Sequence, residues 1–237
     1  MKNKVILALD LDDIKEVRTL LKNIGDSLKT IKVGKRLFTK YGPDLIKELK
    51  DKDYNVFLDL KFHDIPNTVK LATYEAAKHG VSMLTIHCSG GKEMCKEAVI
   101  GAMLGAEESN NNIPIILGVT VLTSLDDASL KELGVNIPLM EYAELLANLA
   151  LNSGVHGIVC SPFEVKKLKK QINKVFVAVT PGIRLPENKS DDQKRIADPR
   201  WALEQGADYL VVGRPIYGAD DPKKAIFNIY ELMSGNK

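Results

Sequence analysis

Short apolar runs alternate with amphipathic stretches along almost the whole chain. Val5-Ile6-Leu7-Ala8-Leu9, between Lys4 and Asp10, has the length and composition of a buried strand. After it Ile14, Val17, Leu21 and Ile24 recur at helical spacing, with Asp12 or Asp13 placed to cap the helix and Gly25 to stop it. The alternation then repeats. Strands are predicted at 30–34, 55–60, 81–87, 113–119, 157–160, 175–179 and 209–212. Helices are predicted from Pro43 to Lys50, Pro66 to His79, Gly91 to Gly105, Pro138 onward, Glu164 to Lys170, Arg200 to Gln205 and Pro222 to Met233, the last capped by Asp221. The segment 120–137 is longer than a usual connection and predicts a short helix over 128–133. The helix at 164–170 reads as lysine-rich and solvated, and 181–198 as a mobile loop without periodicity.

Most of the strands are continuously apolar, which implies a parallel sheet covered on both faces. Eight strand–helix units in 237 residues match a (β/α)8 TIM barrel, a single domain over 1–237. An open doubly wound sheet is the alternative architecture. No Gly-x-Gly-x-x-Gly follows the first strand, so a dinucleotide fold is disfavoured, and Gly90-Gly91-Lys92 lacks the remainder of a phosphate-binding loop.

In a barrel of this kind the active site lies at the C-terminal ends of the strands, and there this sequence turns polar. Asp10 ends the first strand, Lys32 lies in the second, Asp59 and Lys61 end the third and His87 the fourth. Thr120 and Thr123 follow the fifth, Thr180 the seventh, and Gly213-Arg214 the eighth. The densest cluster is 59–68, Asp-Leu-Lys-Phe-His-Asp-Ile-Pro-Asn-Thr. Strand alternation points Asp59 and Lys61 to one face, while Asp64 falls in the following loop. Alternating positive and negative groups favour the charged form of each. Each residue also has a plainer reading: Asp10 or Asp64 as a helix cap, Lys32 as half of a structural pair, His87 as a core histidine. A lone structural ion pair, however, needs only two of Lys32, Asp59, Lys61 and Asp64. Gly213-Arg214 suggests an anion grip, glycine allowing close backbone approach and arginine supplying a fork. The loop 181–198, with Arg184 and Gln193, is placed to fold over a bound phosphate.

Charge excludes other partners. Lys and Arg number 33 against 31 acidic residues, too even for a nucleic-acid or membrane-surface binder. The three cysteines show no zinc spacing, and they read as reduced thiols of a cytoplasmic protein. The start, Met1 to Lys4, leads straight into a strand with no apolar stretch of the signal-peptide kind.

The segment 59–68 resembles the signature of the orotidine 5′-phosphate decarboxylases. The resemblance extends over nearly the whole chain, through 8–10, 32–34, 121–124, 180–184, Gln193 and 212–216. It implies a (β/α)8 homodimer that converts orotidine 5′-monophosphate to UMP and CO2 without cofactor or metal. It further implies that Lys61 is the proton donor in an array with Lys32, Asp59 and Asp64, and that Asp64 and Thr68 reach the partner subunit's site. Asp10 and Lys32 would hold the ribose, Thr123 and Ser124 the pyrimidine, and Gln193, Gly213 and Arg214 the phosphate, with Arg184 in the lid. Magnesium-dependent sugar-phosphate decarboxylases and synthases share the Asp-x-Lys-x-x-Asp pattern but carry an acidic residue at the end of the second strand, where this chain has Lys32. A non-catalytic phosphate-binding barrel is the remaining alternative.

Overall fold

The computed structural model describes residues 4–185 and 197–235. Its strands are β1 (Val5–Ala8), β2 (Thr30–Gly34), β3 (Asn55–Phe62), β4 (Met83–His87), β5 (Ile115–Val119), β6 (Gly157–Val159), β7 (Val177–Thr180) and β8 (Tyr209–Val212). Each pairs in parallel with the next, and β8 pairs with β1, Val5 opposite Leu210 and Leu7 opposite Val212. Closure excludes the open sheet and yields the expected (β/α)8 barrel.

Alternation explains why the strands read as unbroken apolar runs. One parity, including Ile6, Ala8, Phe57, Met83, Leu117, Val179 and Val211, packs inside the barrel. The other, including Leu7, Ile31, Val33, Val56, Leu58, Leu84 and Ile86, packs outward under the helices. Continuing the inward parity toward the C-terminal ends reaches Asp10, Lys32, Asp59 and Gly213, so the register of the core also aims the site.

The helices are α1 (Ile14–Ile24), α2 (Lys35–Asp51), α3 (Pro66–Lys78), α4 (Gly91–Glu108), α5 (Asp127–Glu132), α6 (Leu139–Asn152), α7 (Pro162–Gln171), α8 (Pro199–Glu204), α9 (Arg214–Tyr217) and α10 (Pro222–Ser234). Asp13 caps α1, its carboxylate accepting from Lys15 N at 2.7 Å, and Asp221 caps α10. Helices α3 and α4 pack closely because Gly101 and Gly105 carry no side chain. A Cβ at either would lie 2.1 Å from a carbonyl oxygen of α3, that of Lys70 or Tyr74.

Three helices differ most from expectation. Helix α2 begins at Lys35 instead of Pro43 and kinks at Gly42, where φ is 60°. Its first part reads as polar in sequence, but Leu37 is buried there and Tyr41 Oη accepts from Ile14 N at 3.1 Å. Helix α7 is not simply solvated: Val165 and Leu168 are buried, and Ser161 and Glu164 close a reciprocal capping box at its start. Helix α9, immediately after β8, is absent from the sequence pattern because four residues show no periodicity.

Candidate active site

Residues from the C-terminal ends of the strands line a cavity of about 610 Å³. Among them are Asp10, Lys32, Asp59, Lys61, Thr123, Arg184, Gly213 and Arg214. One wall is a chain of alternating charge. Lys32 Nζ lies 3.1 Å from Asp10 Oδ1 and 3.6 Å from Asp59 Oδ2, and Lys61 Nζ lies 2.7 Å from Asp59 Oδ1. The side chains of Lys32 and Asp59 are only 11% and 13% exposed. At such burial an ion costs several kcal/mol unless partners compensate, and here each central member has one on either side. Asp10 therefore pairs with Lys32, while Asp13 caps α1. Gly34 makes room for that pair, since a Cβ there would lie 3.3 Å from Lys32 Nζ and 3.5 Å from Asp10 Oδ1.

Asp59 sits under opposing influences. Burial pushes its carboxyl up, but the ammonium charges of Lys32 and Lys61 push it down, joined by hydrogen bonds from Lys61 and Thr85. The balance holds it below the ordinary carboxylate value, so it is ionised at neutral pH.

The backbone at Lys61 departs from strand geometry. Its φ is 53°, the left-handed region, which costs a non-glycine residue about 1–2 kcal/mol. The β3–β4 ladder also shifts there: Leu58 pairs with Leu84, but the next pair is Phe62 with Ile86. Three residues of β3, Asp59 to Lys61, thus stand against Thr85 alone. This bulge extends β3 past the predicted end at Leu60 and places Lys61 in the mouth. Thr85, fully buried, donates to Asp59 Oδ1 at 3.0 Å and accepts from Lys61 N at 2.9 Å.

Across the cavity the lining is largely apolar, with Val119, Val159 and Val211, and turns polar again at Gly213 and Arg214. A Cβ on Gly213 would lie 3.2 Å from the Tyr217 ring and 3.6 Å from Ala8 Cβ, so glycine keeps that corner open. Arg184 is 8% exposed and donates from Nη1 to Ile183 O at 2.9 Å. The segment expected to be a lid is tied at its base by a bridge of Ile183 to Ala197, with Arg184 N donating to Ala197 O at 2.9 Å. Residues 186–196, Gln193 among them, lie outside the described residues.

Among the described residues, three that the family resemblance implicates do not line this cavity. Asp64, Thr68 and Ser124 are all exposed. Nor does Asp64 cap α3: the N-cap is Ile65, and Asp64 Oδ1 accepts from Ile65 N at 2.7 Å. His87 is half-buried, its ring 5.3 Å from that of His63. Burial first, then the neighbouring His63, Lys61 and Lys35, push its imidazole down to about 4. Sequence reasoning missed Thr85 and Tyr217. Thr85 reads as an ordinary β-branched strand residue, although its spacing of two from His87 was a signal that it faces inward. Tyr217 gave no signal of its own.

The chain resembles known proteins over nearly its whole length. Residues 3–229 match the model of the orotidine 5′-phosphate decarboxylase / HUMPS family. The chain is 45% identical over 229 residues to the orotidine 5′-phosphate decarboxylase of Mannheimia succiniciproducens, covering 97% of this chain and 96% of that one. It is 43% identical to that of Pasteurella multocida over the full length of both. The crystal structure of orotidine 5′-phosphate decarboxylase from Lactobacillus acidophilus superposes with a TM-score of 0.87 at 41% identity, covering 98% of this chain and 99% of that one. Similarity of this extent, over a barrel that carries its buried charges where the fold places its chemistry, establishes that the chain belongs to the orotidine 5′-phosphate decarboxylase / HUMPS family.

Proposed function

We propose that this protein decarboxylates orotidine 5′-monophosphate to UMP and CO2, the last step of UMP synthesis, without a cofactor. The observation that carries this reading is the buried chain Asp10–Lys32–Asp59–Lys61 at the mouth of the barrel. Loss of CO2 from C6 of the pyrimidine leaves a carbanion with no adjacent carbonyl to delocalise it. The site must stabilise a localised negative charge and deliver a proton to the same atom. The Lys61 ammonium does both. Asp59 holds it in place and, beside the substrate carboxylate, opposes it by about 4 kcal/mol at ~4 Å and an effective dielectric of 20. Enzymatic accelerations correspond to about 8–23 kcal/mol, so preorganised charge and phosphate binding remote from C6 must supply most of the effect.

The other roles are those the family resemblance implies: Asp10 and Lys32 for the ribose hydroxyls, Thr123 and Ser124 for the pyrimidine, and Gly213, Arg214 and Gln193 for the phosphate, with Arg184 in the lid. A magnesium-dependent sugar-phosphate reaction fits the site poorly. The Lys32 ammonium already stands between Asp10 and Asp59, at 3.1 and 3.6 Å, where a divalent ion would have to bridge them. A non-catalytic phosphate-binding barrel would have no use for Lys61.

We further read the active form as a homodimer in which Asp64 and Thr68 complete the partner's site. Both are exposed, and beside them Ile65 and Leu71 leave large apolar side chains 67% and 56% exposed. Burying such groups against a second copy is favourable. A cytoplasmic setting fits Cys88, Cys95 and Cys160, which are buried as thiols and not joined in disulfides. Among the described residues no helix is long and apolar enough to cross a membrane.

The test is direct. Purified protein is mixed with orotidine 5′-monophosphate in excess EDTA and the absorbance change on decarboxylation is followed. Turnover is expected; activity lost in EDTA and restored by magnesium would overturn the cofactor-free reading. For the shared site, an Asp64→Ala subunit mixed with an Arg214→Ala subunit should recover part of the activity, and no recovery counts against it.

A further inference from the structure

The barrel interior is packed mostly with apolar side chains up to the level of the charges, and on β4 a hydroxyl stands among them. Thr85 is fully buried there, two residues beyond Met83 on the inward parity. A valine would fill the same outline, and a buried hydroxyl is costly unless bonded. This hydroxyl is fully engaged: its proton goes to Asp59 Oδ1 at 3.0 Å, and its lone pair takes Lys61 N–H at 2.9 Å. Lys61 Nζ meets that same Oδ1 at 2.7 Å. The bonds close a ring that runs from Thr85 to the Lys61 backbone, out along the Lys61 side chain, and back through Asp59.

We propose that Thr85 is a positioning residue for the reaction, holding the Lys61 ammonium and the Asp59 carboxylate in their relative places through its one hydroxyl. The inference rests on the roles given above to Lys61 and Asp59, and deepens them. At the β3 bulge the Lys61 amide has left the regular ladder, and a left-handed lysine persists only where its surroundings over-determine it. Thr85 supplies the missing acceptor. Its donated bond also orients the Asp59 carboxylate, leaving Oδ2 toward Lys32 at 3.6 Å. The groups facing Asp59 are therefore Lys32 from β2, Lys61 from its own strand, and Thr85 and His87 from β4, with Asp10 beyond Lys32.

The test compares Thr85→Val, which keeps the shape and removes both bonds, with Thr85→Ser, which keeps both bonds. Steady-state decarboxylation is measured across pH, with Lys61→Ala as control. Thr85→Val is expected to lower kcat about 10- to 100-fold, the range for losing a hydrogen bond to a buried charged group, with KM within about threefold. The acidic limb of its kcat/KM profile should move to higher pH, because the Asp59 anion loses a donor. The substrate's own titration is common to all variants and cancels. Thr85→Ser should stay within about threefold of the parent, with the limb unmoved. A Thr85→Val enzyme with parental kcat and limb overturns the inference, as does Thr85→Ser losing as much as Thr85→Val. If Thr85→Val does not fold, Thr85→Cys, of similar volume with a weak hydrogen-bonding group, replaces it under the same expectations. If Lys61→Ala instead retains full activity, the reading of the site fails, and that outcome is distinguishable from failure at Thr85 alone.

Discussion

The barrel has a cavity at each end, and the two are nearly equal in size, about 610 Å³ at the C-terminal mouth and about 630 Å³ at the N-terminal one. Volume does not separate them; the state of their polar groups does. At the N-terminal end Lys29 turns outward to Asp26 and Asp53, whose side chains are 96% and 92% exposed. Asn111 there donates to Ala77 O and Lys78 O and so finishes α3. Those groups are accounted for by solvent and by local chain geometry. At the C-terminal mouth Lys32 and Asp59 are withdrawn from water, and the backbone at Lys61 is held in a left-handed conformation. Neither is needed to close a barrel. Buried charge and local strain that the fold itself does not require mark one of two similar hollows as the candidate site.

The sharpest way to break this comparison is to remove the central charge. Lys61→Ala should lower kcat by about 10³-fold or more, since the proton donation proposed for it alone contributes about 10²–10⁴ and its charge would act in the same step. Single-turnover decarboxylation measures it directly. A variant keeping more than a tenth of the parental rate would leave the mouth no more special than the opposite end. Arg214→Ala should act on the other side of the cavity and on another parameter. Its proposed contact is with a phosphate remote from C6, so KM should rise about 10- to 100-fold while kcat changes less. Equal effects of both substitutions on both parameters would dissolve the division between charged wall and phosphate corner.

The same contrast governs what was legible in the sequence. Asp10, Lys32, Asp59 and Lys61 stood out because a charge ending an apolar strand is conspicuous in one dimension, and strand parity carries it to the mouth. Gly213-Arg214 was legible for the same reason. Thr85 was not, because a threonine between Leu84 and Ile86 is what a strand normally contains, and its meaning comes from a bulge on the neighbouring strand. The left-handed Lys61 was equally hidden: nothing in Leu60-Lys61-Phe62 announces it, and it shows only in the backbone angle and the ladder shift against β4. Helix α2 was half missed because its early part is anchored by Tyr41 to α1, a tertiary contact without periodic signature. Of the expected residues away from the cavity, Thr68 and Ser124 were named by family resemblance, but Asp64 was named first by its charge close to Asp59 and Lys61, and the chain leaves all three exposed.

A smaller effect tests the burial half of the comparison. His87 lies at the mouth among His63, Lys61, Lys35 and Asp59, and its folded value is depressed from 6.5 to about 4, burial being the largest cause. A depressed value means that the unfolded chain binds the proton first. Stability is therefore complete above about 6.5 and declines as pH falls toward 4. For a half-exposed ring, solvent screening reduces this to about 1–2 kcal/mol. His87→Gln, neutral throughout, should lose that much less than the parent between pH 7 and pH 4 in denaturant titrations. Parallel stability curves for the two proteins would show that His87 is not held off its proton by the site.

The smallest expected effect belongs to the other end of the barrel. Lys50 and Ser82 both line the N-terminal cavity, and Lys50 is exposed. The Ser82 hydroxyl makes a long contact of 3.5 Å to Asn55 Oδ1. Substitutions at exposed positions without special contacts usually change stability by no more than about 0.5 kcal/mol. Lys50→Ala and Ser82→Ala, singly and together, should therefore leave kcat/KM within about twofold of the parent and shift the melting temperature little. The measurement is informative because the cavity is as large as the C-terminal one, and by size alone it would be an equal candidate. A tenfold loss of kcat/KM in the double variant, with melting unchanged, would mean that the two ends communicate through the interior packing of Ile6, Phe57, Met83 and Leu117. In that case the difference in buried charge would no longer suffice to explain where the chemistry happens.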